Sequence, residues 1–572
     1  MINVEKELQK KFPKIDSKFP MFKKSIFKIA KRIIKEDKIN NFLDDNSELD
    51  GFEFIEATLD YFGFDFSFKN SEIDNIPSTG RVVIIANHPL GALDALCLLK
   101  LVSKVRKDVK IVANDFLAGI TNLDSLLIKV DNFKEKQAKE SISKIYKALE
   151  NEEAVIIFPA GEVSRVTPLG IRDGKWHKGF LKFAKKTKSP ILPILVDGKN
   201  SKTFYTLSML NKTFSTILLS DEMFKQQNKF LHLKIGQLIE YENIIPKEFE
   251  YEKLPTLYKK HLYGLAKNKN QIFQTSSGIA HQEDKTAIKK ELKKSELLGT
   301  TNDGKMIFLY TYIEDGVVLK EIGRLREISF RKVHEGVNKK RDIDKFDKYY
   351  KHIVLWDEEE LEIVGAYRIG IAEDIYDEYD FDGFYSNSLF KFQKNFLPYM
   401  ENSIELGRSF VQPKYWGTRA LDYLWFGIGA YLKQNPHIKY MYGPVSLSGS
   451  FPQYAKELIV DFYTYYFKGD GKIVDPRNPF EYETAYIALE NNFTFDNYEK
   501  DFKILKDKLK NIDVSIPTLY KQYSELCEDD GVKFYGFNVD NDFKDCVDGF
   551  IVVEIDKIKE SKRNRYMNRP SR

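Results

Sequence analysis

Along the first half of the chain, two hydrophobic patterns take turns. Short, nearly unbroken apolar runs predict buried strands at Arg81–Ala86, Val109–Ala113, Ala154–Phe158 and Ile191–Asp197. Between them, apolar residues at helical spacing predict helices over Ala92–Val105, Ala138–Glu150 and Gly179–Lys186. Strands alternating with helices imply an α/β domain with a largely parallel sheet. The pattern breaks near Thr275-Ser276-Ser277-Gly278. A charged helical stretch, Glu283–Leu297, then leads to Leu298–Gly304, the best linker candidate. Beyond it a strand (Met306–Tyr312), a helix (Val318–Val333) and strands near His352–Trp356 and Ile363–Ile369 predict a second α/β domain. The expected division is a basic segment at 1–48, a first domain at 49–280, a helical linker at 281–304 and a second domain at 305–572.

Composition narrows the function classes. With 572 residues the chain is too long for one core, and 42% hydrophobic residues exclude wholesale disorder. A net charge of only +4 disfavours a nucleic-acid binder. Cys97, Cys527 and Cys546 are scattered, so neither a disulfide framework nor a cysteine metal site is expected, which fits a reducing compartment. The first residues lack a signal peptide's apolar run, and no run is long enough to span a bilayer. The expected location is the cytoplasm, with any membrane contact peripheral.

Charge is unevenly spread. Residues 1–40 hold twelve Lys/Arg against five Asp/Glu, with Phe22, Ile26, Ile29 and Ile33 at helical spacing and Lys24, Lys28, Lys31 and Lys35 on the other face. Such a helix either lies in the headgroup layer of anionic lipid or packs on its own domain with lysines in solvent. A second basic stretch, 171–190, carries Lys175, Lys178, Lys182, Lys185 and Lys186, read either as a solvated helix face or as a dock for an anionic partner. The last 17 residues, Asp556–Arg572, are again basic and expected to fray.

Asn87-His88-Pro89-Leu90-Gly91-Ala92-Leu93-Asp94 directly follows the first apolar strand. A histidine with a nearby carboxylate at a strand-to-helix turn suits general base catalysis: the imidazole takes a hydroxyl proton and the carboxylate fixes its tautomer. Alone, such a pair is more often structural. Phe158-Pro159-Ala160-Gly161-Glu162-Val163-Ser164-Arg165 ends another strand, where backbone N–H groups and an arginine suit a phosphate or carboxylate. From about Asp60 to Phe273 the two motifs resemble the glycerolipid acyltransferase family, with its NH-x4-D and FPEGTRS-like blocks. The resemblance implies acyl transfer from a thioester to a lipid hydroxyl. His88 would be the base and Asp94 its orienter, with Asn87, Gly161, Glu162 and Arg165 toward the acceptor. Two departures stand out: His88 to Asp94 is one residue longer than usual, and Glu162 lies two places beyond its slot, where Ala160 stands. Gly91 gives the loop room for the extra residue. The forms NHPLG-x-LD and FP-x-GE-x-SR look like those of the branch that makes amino-acid-containing lipids, with Asn114-Asp115-Phe116-Leu117 and Pro193 at its middle and last blocks.

In the second half, Arg324-Leu325-Arg326-Glu327, Arg341–Asp347, Gly365-Ala366-Tyr367-Arg368, Glu405-Leu406-Gly407-Arg408-Ser409 and Gly443–Ser448 follow in order. Singly they read as charged helices and strands. As a set, from about Glu321 onward, they resemble the ornithine-lipid N-acyltransferases, relatives of the acyl-homoserine-lactone synthases with a GNAT-like fold. That chemistry needs an amine made neutral and a thioester arm held extended. Glu405 can take the amine's proton directly or through water. Asp344 and Asp347 suit an ammonium, Arg368 or Arg408 a carboxylate, and Asp342 reads as a solvated ion pair. The turn Pro413–Ala420 sits where a GNAT phosphopantetheine loop belongs, with Gly417 its single glycine, which favours a carrier-protein thioester over coenzyme A.

Together the halves resemble the bifunctional ornithine-lipid synthases. The implied order is N-acylation of an amino acid with a 3-hydroxyacyl chain from acyl carrier protein, then O-acylation of that hydroxyl. Glycine, lysine or glutamine are alternative acceptors, and a lysophospholipid acyltransferase with a non-catalytic lipid- or carrier-binding second domain is the rival architecture. Expected partners are acyl carrier protein, an anionic membrane surface, the amino acid and its lyso-lipid, with no nucleic acid, no metal and no tightly bound cofactor.

Overall fold

The computed structural model describes residues 4–5, 23–113, 119–130, 135–210, 212–267, 271–483 and 493–568. They form two compact units, Met1–His281 and Gln282–Arg572.

In chain order the first unit contains α1 (Lys23–Ile34), α2 (Glu36–Asp45), α3 (Gly51–Tyr61), β1 (Asp65–Ser67), β2 (Val82–Ala86), α4 (Ala92–Ser103), β3 (Val109–Ala113), β4 (Leu127–Lys129), α5 (Glu135–Glu150) and β5 (Ala154–Ile157). A two-stranded hairpin of β6 (Arg165–Thr167) and β7 (Gly170–Arg172) follows, then α6 (Gly179–Thr187), β8 (Ile191–Asp197), α7 (Lys202–Leu210), α8 (Lys212–Lys225), β9 (Phe230–Ile235) and α9 (Leu254–Gly264). Seven strands form one sheet in the order β1-β9-β8-β2-β5-β3-β4, parallel except between β8 and β9. This is the α/β domain that the alternating pattern predicts. All five residues of β2 are buried, because helices cover both faces of the sheet. β2 lies between β5 and β8, so the residues that follow it emerge at the carboxyl edge of the sheet, where open α/β sheets bind ligands.

Helix α1 departs from its expected stripe. Phe27 and Ala30 are buried, whereas Ile29 is exposed beside Lys28 and Lys31. Phe22 and the side chains of Lys24 and Ile26 lie outside the described residues, as do Asn114–Leu117.

The second unit contains α10 (Lys285–Leu292), β10 (Glu296–Thr300), β11 (Met306–Thr311), α11 (Val317–Lys332), β12 (Lys351–Asp357), β13 (Glu362–Ile371), β14 (Phe390–Phe392), β15 (Ser403–Val411), α12 (Ala420–Gln434), β16 (Tyr440–Leu447), α13 (Gln453–Tyr466), β17 (Val474–Pro476), β18 (Val532–Asp540), β19 (Cys546–Glu554) and α14 (Glu560–Tyr566). Its eight-stranded sheet runs β10-β11-β12-β13-β15-β16-β19-β18, and β14 pairs separately with β17. Of the stretch expected as a linker at 281–304, all but His281 is part of this unit. Ile288 and Leu292 of α10 enter a core, and β10 pairs antiparallel with β11 through the turn Thr301–Gly304. A Gly/Asn/Asp turn reads the same in a linker and in an edge hairpin; the partner strand decides. For residues 556–568 the expected fraying is corrected, since Tyr566 is buried against Trp425 and Phe426 of α12; residues 569–572 lie outside the described residues.

Two features of this sheet shape a site. Strands β15 and β16 run parallel but pair only from Ser403↔Tyr440 to Glu405↔Tyr442. On the other side of β15, the pairing with β13 slips between Ala366↔Phe410 and Arg368↔Gly407, a bulge that places Arg408 in the left-handed region at φ 49°.

Candidate active sites

At the end of β2, the Asn87 side chain bonds both backbone groups of Val196 on β8: its Nδ2 donates to the carbonyl and its Oδ1 accepts from the N–H, each at 2.8 Å. Asn87 therefore clamps two strands rather than facing a substrate. His88 follows with its Nδ1 3.2 Å from Asp94 Oδ2 and its ring stacked on Phe158 at 3.9 Å. Asp94 opens α4 fully buried, accepting from the N–H groups of Leu90 (2.7 Å) and Gly91 (3.2 Å). Burial raises its pKa, while His88 and those two N–H groups pull it back toward the charged form. The extra residue in the motif is absorbed at Gly91, whose φ of 92° and ψ of −128° suit glycine alone. The pair is thus kept despite the longer spacing.

The second motif forms a tight turn against the first. Gly161, at φ 66°, donates its N–H to Phe158 O (3.0 Å), and Ser164 N–H donates to His88 O (2.7 Å). These N–H groups close the turn instead of waiting for an anion. Arg165 Nε lies 3.3 Å from Glu162 Oε2. One residue missed by sequence reasoning ties the turn together. Asp173, fully buried, accepts at Oδ1 from His88 N–H (3.1 Å) and Ser164 Oγ (2.5 Å), and at Oδ2 from Trp176 Nε1 (2.9 Å). Its own N–H donates to Tyr263 OH (2.9 Å), and Lys259 donates to its carbonyl.

In the second unit Glu405 lies on β15 at the last paired position before β16 diverges, and it is buried. Its Oε1 accepts from Ser386 N–H at 2.6 Å and its Oε2 from Tyr350 OH. Burial raises its pKa; the bonds to Ser386 and Tyr350 and the charge of Arg368 oppose the rise. Arg368 donates to both Asp344 oxygens (2.7 and 2.9 Å) and lies 3.3 Å from Asp347. Asp347 is fully buried between Arg368 and Arg326 (2.8 Å), so it holds arginines in place and has no face left for an ammonium. Burial works against its ionisation, yet the two arginines hold it well below the usual carboxylate range. Asp342 is buried too, 3.3 Å from Arg408 Nε, which corrects the reading of a solvated pair. Arg408 also donates to Tyr385 OH (2.9 Å) and stacks on Phe543. Arg368 is buried with Nε and Nη2 lacking protein partners, the arrangement a carboxylate would complete. Gly417, at φ 77°, lies in the turn between β15 and α12, where the sequence places the pantetheine loop.

Residues 6–268 match the family model described as Acyltransferase, and 325–426 that described as Acetyltransferase (GNAT) domain. The chain is 34% identical over 296 residues to a glycine N(alpha)-acyltransferase of Phocaeicola vulgatus, covering 50% of this chain and 90% of that protein. It belongs to the N(alpha)-acyltransferase family. The chain is also 29% identical over 269 residues to a lyso-glycine lipid O-acyltransferase of Bacteroides thetaiotaomicron, covering 46% of this chain and 95% of that protein. An L-ornithine N(alpha)-acyltransferase of Brucella abortus is 33% identical over 132 residues, 22% of this chain and 46% of its own length. The chain is therefore an acyltransferase with an acyltransferase domain followed by a GNAT domain.

The second unit holds a further acidic group that its motifs do not announce. Asp548 on β19 is buried opposite Ser446 of β16, whose Oγ donates to it at 2.5 Å. Burial pushes Asp548 and Glu335 each up to about 7. Between its ordinary value of 3.8 and about 7, Asp548 keeps in the native state a proton that the unfolded chain releases. Stability from this group is therefore present at low pH and lost as pH rises through 7. Asp548→Asn is expected to remove up to about 1.4 kcal/mol per pH unit of that fall. Urea unfolding between pH 5 and 8 checks it, and parallel curves for variant and wild type would count against the buried proton.

In the first unit, Asp173→Asn is expected to lower O-acylation turnover about 10²-fold with little change in acceptor KM, because the new amide NH2 confronts Trp176 N–H and turns the His88 backbone. The double variant with Trp176→Phe removes that conflict and restores part of the turnover. Steady-state kinetics on all three proteins is the check.

Proposed function

We propose that this chain makes an amino-acid-containing lipid in two steps, one in each unit. In the second unit an amino acid's neutral amine attacks a 3-hydroxyacyl thioester: the C–N bond forms, the C–S bond breaks and the thiol leaves. Glu405 receives the amine's proton through water or the Tyr350 hydroxyl, since both carboxylate oxygens already accept bonds. Arg368 holds the amino acid's carboxylate with its unpartnered nitrogens, and the Gly417 turn holds the donor arm. In the first unit His88 takes the proton of the new lipid's 3-hydroxyl as the oxygen attacks a second acyl thioester. The imidazolium, steadied by Asp94, returns it to the departing thiolate. Acyl carrier protein is the donor we favour, on the single glycine of the 413–420 turn.

The observation that carries this reading is a carboxylate-centred base in each unit, half-buried His88 on buried Asp94 and buried Glu405 with Tyr350, in one chain that is similar to relatives named for N-acylation and for O-acylation. Glycine is the acceptor we favour, because relatives named for it match both halves over most of their length. Ornithine is the second reading, because a relative named for it is 33% identical over 132 residues. The reactions would take place at the inner membrane surface. Among the described residues no helix is long and apolar enough to cross a bilayer, and exposed Ile29, Lys28 and Lys31 of α1 suit an anionic headgroup layer.

Expression in a host lacking aminolipids, with mass spectrometry of its lipids, tests both steps. Wild type should give a diacylated aminolipid. His88→Ala should accumulate the monoacylated form, with O-acylation down about 10²–10⁴-fold, and Glu405→Ala should stop N-acylation to a similar degree. A folded His88→Ala protein that still yields the diacylated lipid at the wild-type level removes His88 from the mechanism.

A further inference from the structure

Beside the His88 turn stands a small hairpin that the acyl-transfer chemistry does not use. β6 begins at Arg165, one residue after Ser164, whose N–H is bonded to the His88 carbonyl. The turn between β6 and β7 is closed by Thr167, whose Oγ1 donates to Gly170 O (2.7 Å) and accepts from Leu169 N–H (3.2 Å), with Gly170 at φ 96°. On this ordered scaffold the apolar side chains point outward: Leu169 is 75% exposed and Val166 48%. Below the tip, Arg165 and Arg172 face each other across the ladder, and Lys175 is exposed just beyond. Arg165 keeps its ion pair with Glu162 at 3.3 Å, and the one acid between Arg165 and Lys178, Asp173, is buried, so Arg172 and Lys175 carry the excess positive charge. β6 packs on α7, where Leu207 is 40% exposed, α7 packs on α8, and α8 packs on α1, where Ile29 is 59% exposed.

An apolar tip above a basic collar matches the layering of an anionic bilayer, hydrocarbon beneath charged headgroups. We propose that the β6–β7 tip inserts into the headgroup layer of an anionic membrane and seats the His88 pocket on the lipid surface. An acceptor lipid then brings its hydroxyl to His88 without leaving the bilayer. The purpose of this contact rests on the O-acylation reading; its physics rests on Val166, Leu169 and the arginines.

The test uses the full chain with vesicles of phosphatidylcholine, alone or mixed with phosphatidylglycerol. Val166→Glu with Leu169→Glu should weaken binding to the mixed vesicles about tenfold or more, from the lost apolar insertion. It should raise KM for an acceptor embedded in them and leave turnover of a monomeric short-chain acceptor unchanged. Leu169→Trp, which adds no charge, should bind at least as tightly and show a blue shift in emission on the mixed vesicles beyond that of wild type. A wild-type chain that ignores vesicles, a double variant that floats with wild type, or a Leu169→Trp protein whose added indole keeps its emission in water overturns the proposal. If the chain binds as expected but acylates neither acceptor, the hairpin contact stands and the O-acylation reading fails. His88→Ala should bind vesicles as wild type does.

Discussion

A carboxylate taken out of water must be met by donors that the backbone holds in place, and both units are organised by that constraint. Asp94 sits fully buried at the start of α4 because two N–H groups of its own loop and the His88 ring surround it. Asp173 is buried because groups from His88, Ser164, Trp176, Lys259 and Tyr263 converge on its side chain and backbone. Glu405 has the same relation to Ser386 and Tyr350, and Asp344 and Asp347 to three arginines. Removing one partner from such a set leaves a buried group uncompensated, so these positions constrain the loops around them more tightly than packing alone would.

The sheets determine where these groups can act. In the first unit the central parallel strand ends at Asn87, which spends its side chain fastening β2 to β8 and so fixes the point from which His88 leaves the sheet. In the second unit the ladder between β15 and β16 stops at Glu405, and the bulge at Arg408 turns its guanidinium toward Tyr385 and Phe543. A strand that parts from its neighbour leaves room for an extended donor, and a bulge re-aims a side chain without moving the sheet. His88 thus stands just past the end of the central strand, and Glu405 at the point where a ladder stops.

Much of this was legible in the sequence. The alternating runs locate β2, β3, β5 and β8 and the helices α4, α5 and α6 to within a few residues, because buried parallel strands write themselves as short apolar blocks, whereas the short or edge strands β1, β4 and β9 leave no such block. His88 and Asp94 were legible because both belong to one strand-to-helix turn, and Gly91 explains how an added residue leaves them paired. What stayed hidden depends on distant partners. Asp173 lies in a basic run that reads as a solvated face or a dock; the groups that enclose it include Tyr263 and Lys259 of α9, far along the chain, and His88 and Ser164 of the two motifs. Asp342 was misread for the same reason, since Arg408 encloses it. Strand β10 and its turn into β11 read as a linker because turn composition carries no information about strand pairing, whereas β11 itself is legible as a strand.

The central claim is that one chain supplies two bases for two consecutive acyl transfers on one molecule. Purified protein given isotopically labelled glycine, 3-hydroxyacyl-acyl carrier protein and a second acyl-acyl carrier protein tests it directly by time-resolved mass spectrometry. The account predicts that labelled N-acylglycine rises first and then converts to the O-acylated lipid within the same reaction. Formation of the ester product without a labelled monoacyl precursor, or no labelled lipid from glycine or from ornithine in its place, would contradict it.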